Sequence, residues 1–189
     1  MNVLEMLSST LAHGSDLNAI ARSTLRAGSH HDVEWCMVGL TPYQEHLLRA
    51  RYQLDAQARR AAWARLFTLC MGKGWQNSCA IGSVWTLTQH SINHWLGWSA
   101  DEHGLKTISP HICKSCEGVG GVMWESKALV CKACGGSGRK EIGPHTIMRV
   151  LDIAGRVQQF WVDRHNEILR DLDGEESAAV AHMVSRLRD

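Results

Sequence analysis

Apolar residues along the chain recur mostly at helical spacing, and they do so in separate blocks. Val3, Leu4, Leu7 and Leu11 make one stripe, and Leu17, Ile20, Ala21 and Leu25 make another after Gly14-Ser15-Asp16, so two short helices are expected within residues 1–27. Gly28 to Asp32 reads as a loop, with His30-His31 a solvated pair. At Thr41-Pro42-Tyr43-Gln44 three helix-start signals coincide: a cap oxygen, a proline at the first helical position and a glutamine placed to close a capping box. The helix predicted from there runs to about Met71. Leu47, Leu48, Leu54, Ala58, Ala61, Ala62, Leu66 and Leu69 mark its buried side, and Arg49, Arg51, Arg59, Arg60 and Arg65 populate the rest, as a solvated face in the first instance and as contacts to phosphate or a partner in the second. Gly72-Lys73-Gly74 ends it. That glycine-lysine pair lacks the remaining residues of a phosphate-binding loop.

Residues 78–97 carry Val84, Trp85, Leu87, Ile92, Trp95 and Leu96 as a further helix, stopped at Gly97. Ser99 to Pro110 is polar and reads as a connection. Beyond Gly143-Pro144-His145, Thr146–Leu151 predicts a short helix, Asp152–Gly155 a turn, and Arg156 to about Leu172 a longer helix with Val157, Phe160, Trp161, Ile168 and Leu169 on one side. Helix, short turn and helix is the pattern of a helix-turn-helix, whose second helix can enter the DNA major groove. Asp173-Gly174-Glu175-Glu176 predicts a break before a last helix from Ser177 to about Leu187.

The helical rhythm is interrupted at residues 113–138. There the chain reads Cys113-Lys-Ser-Cys116-Glu-Gly-Val-Gly and, with 14 residues between Cys116 and Cys131, Cys131-Lys-Ala-Cys134-Gly-Gly-Ser-Gly. Two C-x-x-C pairs can bring four thiolates onto one tetrahedral zinc ion, each pair turning tightly around the metal. Glycine supplies the positive φ that such turns need. Val122–Glu125 and Ala128–Val130 predict two short strands between the pairs. With four cysteines in place, His111 is expected near the site rather than as a ligand.

Composition sharpens this picture at a few points. With 44% hydrophobic and 21% charged residues in 189, the chain can bury a sizeable core and shows no disorder-like tract. Eight Trp against two Phe and two Tyr mean that indole N–H groups will need partners inside. No run reaches the roughly 20 apolar residues of a membrane span, and no secretory leader is evident, so a cytoplasmic protein with reduced thiols is expected. The paired cysteines are then metal ligands, and Cys36, Cys70 and Cys79 are inert buried thiols. Net charge is only +1, with a basic stretch at 41–65 between acidic ends, so local patches matter more than the total. His90 and His94, four apart, could share a face as metal ligands, but no carboxylate motif accompanies them. No nucleophile-base-acid set is present, and a zinc held by four thiolates has no open position for water, so no enzyme activity is expected.

The order of these parts resembles the late-gene transcription antitermination protein Q family of lambdoid and related phages. The resemblance rests on Cys113, Cys116, Cys131 and Cys134, on Gly138-Arg139-Lys140, and on the stretch Ile147 to Trp161, and covers about residues 75–189. Family sequences usually have a glycine where Asp152 stands, a serine or threonine near Ala154 and more arginines around Val157 to Val162. Aspartate can adopt the left-handed conformation that such a turn uses. The resemblance implies one structural zinc ion, binding to double-stranded DNA at a late promoter, engagement of paused bacterial RNA polymerase and terminator readthrough. No membrane or small-molecule substrate is involved in that reading. The expected fold is mainly α: a helical body over 1–110, a four-cysteine zinc-finger hairpin insert over 111–140, and a helix-turn-helix-like unit over 141–189 packed with the body. Arg139, Lys140, Thr146, Arg149, Arg156, Gln158, Gln159 and Arg164 are the candidate DNA contacts, since arginine and glutamine match guanine and adenine edges. The principal alternative is a protein-binding module like the cysteine-rich domain of DnaJ co-chaperones, which repeats the same C-x-x-C-x-G-x-G unit four times around two zinc sites. Only two units occur here, with neither a His-Pro-Asp tripeptide nor a Gly/Phe-rich linker.

Overall fold

The stretch expected to be one helix from Thr41 to Met71 is two. In the computed structural model, which describes residues 37–75, 80–101, 105–109, 111–117, 121–124, 127–153 and 159–186, α1 spans Pro42–Tyr52 and α2 spans Ala56–Gly72. The start of α1 is as anticipated: Gln44 N–H donates to Thr41 Oγ1 at 3.2 Å and Thr41 N–H to Gln44 Oε1 at 3.1 Å, a closed capping box. The interruption comes from Leu54, which sits at φ 55°, and from Asp55, whose carboxylate accepts the Gln57 and Ala58 amides at 2.8 and 3.0 Å and so restarts the helix. The Ala58 amide and Arg49, whose guanidinium donates to Asp55 at 2.6 Å, hold the Asp55 carboxyl below its ordinary range despite the opposing effect of burial.

The break changes which residues face inward. Leu54 is exposed, as is Leu69, while Ala58, Ala62, Leu66 and Cys70 form the buried stripe of α2 at four-residue spacing. The arginines also divide. Arg59 is buried and donates twice to Asn93 Oδ1, at 2.9 and 2.7 Å, and Arg51 pairs with Glu176 at 2.8 Å with both side chains only 9% exposed. The expected solvated face therefore holds only in part, and Arg60 and Arg65 are its exposed members.

Helix α3, Ile81–Leu96, ends as predicted at Gly97 with φ 76°. In place of the plain connection expected over Ser99 to Pro110 there is a small antiparallel pair, β1 (Trp98–Ala100) and β2 (Lys106–Ile108), in register Ser99 opposite Thr107. The exposed Lys106, Thr107 and Ile108 show no inward and outward alternation, so the pattern held no strand signal there. The hairpin expected inside the cysteine module is present as β3 (Gly121–Trp124) and β4 (Lys127–Val130), with Trp124 opposite Lys127.

Helix α4, Pro144–Val150, begins behind Gly143 as the Gly-Pro signal predicted, and Asp152 does adopt a left-handed φ of 52° at its end. The helix α5, Gln159–Arg186, then runs 28 residues without the break expected at Asp173–Glu176. Each polar residue of that stretch is held by a neighbour. Asp173 accepts from Trp95 Nε1 at 2.8 Å and from Arg139, Glu175 from Gln44 at 3.0 Å, and Glu176 from Arg51 and the Tyr52 hydroxyl. An internal Gly174 costs only about 1 kcal/mol against Ala, less than those contacts can offset. The expected N-terminal helices, the His30-His31 loop, Cys36 and Cys79 lie outside the described residues, as do Arg156 and Gln158.

These helices enclose one core in which Trp95, Trp161, Leu47, Leu66, Leu87, Ile92, Ile147, Ile168 and Leu172 are fully buried. Indole N–H groups find partners as their number required: Trp95 on Asp173, Trp98 on the Ala50 carbonyl at 3.1 Å, and Trp63 on Thr88. Lys73 bridges to Glu167 and Asp171 at 2.6 and 2.7 Å, tying the end of α2 to α5. No described helix is long and apolar enough to cross a membrane.

Candidate metal centre

The chain enters the cysteine module at His111 and leaves it at Lys140, and the two ends are stitched together. Lys140 N–H donates to the His111 carbonyl at 2.7 Å and Cys113 N–H to the Gly138 carbonyl at 2.9 Å, with Ile112 opposite Arg139 in an antiparallel bridge. Each C-x-x-C then folds back on itself. Glu117 at φ 50° and Gly135, Gly136 and Gly138 at φ 60°, 92° and 69° provide the left-handed steps that the two turns require.

The result is four sulfurs facing one point. The ligand atoms of Cys113, Cys116, Cys131 and Cys134 all lie within 4.8 Å of one another; Cys113 to Cys131 is 3.9 Å and Cys116 to Cys134 is 3.7 Å. Sulfurs about 2.3 Å from one tetrahedral zinc would lie about 3.8 Å apart, so the spacing fits a metal tetrathiolate. It is far too long for the roughly 2.05 Å bond of a disulfide. Gly138 N–H approaches Cys134 Sγ at 3.3 Å, a donor of the kind that stabilises a thiolate. At Cys113 burial alone would raise the thiol, but the Ser115 and Cys116 amides and the neighbouring thiols bring it down to about 7. The four cysteines thus form a cluster compatible with a structural metal ion. Cys70 differs in kind: burial pushes its thiol up to about 12 and leaves it inert, as its isolated position in the sequence suggested.

Arg139 and His94 connect this module to the helical core. The Arg139 guanidinium donates to both Asp173 carboxylate oxygens at 2.9 and 3.0 Å and to the Trp95 carbonyl, with its side chain only 11% exposed. Its charge is neutralised within the chain. His94 Nε2 lies 3.0 Å from the Lys140 carbonyl. Behind it is a feature of which the sequence showed only the pair His90 and His94. His90 and His94 from α3, His165 from α5 and His111 at the module entrance form a closed cycle of four rings, with successive centroids 5.3–6.1 Å apart. His165 carries no signal in the sequence, because only the packing of α5 on α3 brings it to the pair four residues apart.

Burial first, then the charge of Arg139, lowers His94 to about 4; burial, then His94, lowers His165 to about 3; burial, then His111, lowers His90 to about 4. These groups are neutral in the fold and free to protonate when unfolded. Their contribution to stability is therefore complete above pH ~6.5 and is lost as pH falls towards 4, since the unfolded chain binds the extra protons. Unfolding free energies from urea titrations at pH 7, 6 and 5 should fall with pH, by several kcal/mol in total. His165→Asn should flatten that slope, with metal content followed in parallel to separate any loss at the cysteines.

The remaining described candidate DNA contacts differ in exposure and in their partners. Lys140, Arg149 and Gln159 are exposed, and Gln159 donates to Asp163 at 3.0 Å. Thr146 is half-buried, and Arg164 lies over Trp75, Phe160 and Trp161 with its guanidinium 5.0–5.3 Å from each ring. Comparison with protein-family models, curated proteins and solved structures returned no match.

Proposed function

We propose that this chain is a transcription antitermination factor of the phage Q type. It binds double-stranded DNA at a late promoter, engages paused bacterial RNA polymerase and promotes terminator readthrough, with one structural zinc ion held by Cys113, Cys116, Cys131 and Cys134. The observation that carries this reading is the junction between the cysteine cluster and the helices behind it. The module closes on His111 and Lys140, and the chain passes within four residues to α4 and on to α5, the order on which the family resemblance rests. Zinc supplies folding free energy to a hairpin too small to hold a core of its own. A tetrathiolate leaves the ion no open position, which favours a scaffold over an enzyme. Lys140, exposed at the exit of the module, and Arg149, exposed on α4, are assigned to DNA phosphates. Gln159 is assigned to a base edge at the start of α5.

Binding of the zinc-loaded protein to late-promoter duplexes across a salt series tests the DNA half of the proposal. Lys140→Ala with Arg149→Ala should weaken binding and make the slope of log K against log salt shallower by about 2, with zinc content unchanged. A protein with no duplex preference, or a double variant with unaltered slope, would instead favour a protein-binding module.

A further inference from the structure

The histidine cycle contains a pair of nitrogens whose hydrogens are set by the groups outside it. Ser91 Oγ lies 2.8 Å from the Leu87 carbonyl and 2.8 Å from His165 Nδ1; with its hydrogen on the carbonyl, it accepts from His165 Nδ1. At the other end the Lys140 carbonyl can only accept, so His94 Nε2 must carry the hydrogen. A neutral imidazole has one N–H. Both hydrogens are then on the outer nitrogens, and His94 Nδ1 and His165 Nε2, 3.1 Å apart and buried, face one another with lone pairs. Four contacts run from the Leu87 carbonyl to the Lys140 carbonyl with three hydrogens to fill them. The chain lacks one positive centre at its middle.

We infer that His94 Nδ1 and His165 Nε2, with His90, form a second metal site, for a divalent transition ion of the imidazole-preferring class such as Zn²⁺ or Ni²⁺. The spacing is that of a chelate: two nitrogens 3.1 Å apart, each about 2.0–2.1 Å from an ion, subtend an angle near 100° there. The outer contacts are those a metal-bound histidine ordinarily has, with the second N–H donated to a backbone carbonyl or a side-chain oxygen that fixes the tautomer. His90 supplies an independent sign, because its Nε2 is buried without a hydrogen-bond partner. Its ring packs 5.7 Å from that of His165, beside the pair. A cavity of about 250 Å³, lined by His90, His94 and His111 among others, gives an ion access and leaves room for water at a remaining position. Imidazole nitrogens suit Zn²⁺, Cu²⁺ and Ni²⁺, whereas the thiolate cluster is the softer site, so the two centres differ in selectivity. A metal here would join α3 to α5 directly beneath the exit of the cysteine module.

The test is calorimetric titration of Ni²⁺ into the full, untagged, zinc-loaded chain at neutral pH, with metal analysis before and after. The expected result is one saturable equivalent of Ni²⁺ bound while the zinc already present is retained. His90→Ala should weaken that binding, and His94→Ala should weaken it by more than the about 10–100-fold that accompanies loss of a supporting residue outside the ligand set. His94 is buried, so helical circular dichroism is recorded for each variant. If His94→Ala misfolds, the wild-type titration and the less buried His90→Ala decide the matter. Absence of saturable Ni²⁺ binding in the wild type, or binding unaltered by His90→Ala and His94→Ala, overturns the site.

Discussion

Replacing Cys116 by serine should abolish metal binding by the four-cysteine cluster and dissolve the module between His111 and Lys140, while much of the helical circular dichroism survives. The expectation follows from where free energy is stored. The hairpin Gly121–Val130 contributes two four-residue strands, too little to be stable alone. Binding of structural zinc, about 10–16 kcal/mol in zinc-finger peptides at neutral pH, is then effectively the folding free energy of this segment. The helical body has a separate apolar core, so it does not depend on the metal in the same way. Hydrogen exchange gives the sharpest readout. The Cys113 and Lys140 amides, bonded across the neck of the module to Gly138 and His111, should lose protection on chelation or in Cys116→Ser. Amides in the middle of α3 should keep it. A metal-free chain with the neck amides fully protected would contradict the assignment.

The second large effect is expected at Glu176, a residue that the sequence placed at a helix break. Its carboxylate is buried in α5, accepts from Arg51 and from the Tyr52 hydroxyl, and Arg51 in turn lies 4.3 Å over the Trp95 ring. Glu176→Ala removes a carboxylate bonded to Arg51, whose side chain is only 9% exposed. Breaking a buried pair on one side costs about 3–5 kcal/mol, chiefly because the surviving charge stays desolvated. For a chain of this size that is roughly 6–20 °C in melting temperature. Glu176→Gln, which keeps an acceptor oxygen, should lose less. Thermal unfolding of both variants measures this, and equal melting temperatures for Glu176→Ala and the unmodified chain would contradict the ledger.

Glu176 also shows what could be read from the chain and what could not. Local grammar was legible wherever a few adjacent residues suffice: the Thr41 to Gln44 capping box, Gly97 as a helix stop, the Gly143-Pro144 start and the two C-x-x-C pairs all appear as read. The misreadings occurred where a contact distant in sequence outweighed local preference. Gly174 flanked by acids looks like a breaker until Gln44, Arg51, Trp95 and Arg139 are brought alongside to satisfy those acids. The opposite error came at Leu54-Asp55, where a capping aspartate inside a helical rhythm was a usable signal that the apolar period hid. The candidate site divides in the same way. Its four thiolates come from a 22-residue window and were plain. The histidine cycle draws on α3, α5 and the module entrance, separated by up to 75 residues, and only packing reveals it. Arg139 reads as a free basic residue after Gly138, yet Asp173 already holds it.

These placements narrow the proposed role of the module. The cysteine cluster, Arg139 and His94 together fix where the chain leaves the metal centre, so that Lys140 and the following helix are presented from a braced base. In the proposed antitermination factor the chemistry of recognition is therefore beside the metal rather than at it. The measurement that tests this most directly is terminator readthrough by RNA polymerase paused near a late promoter, with and without the zinc-loaded chain. The account predicts increased readthrough on the cognate promoter, reduced by Lys140→Ala with Arg149→Ala while zinc content stays the same. Readthrough unchanged by correctly folded, zinc-loaded protein on that promoter would contradict it.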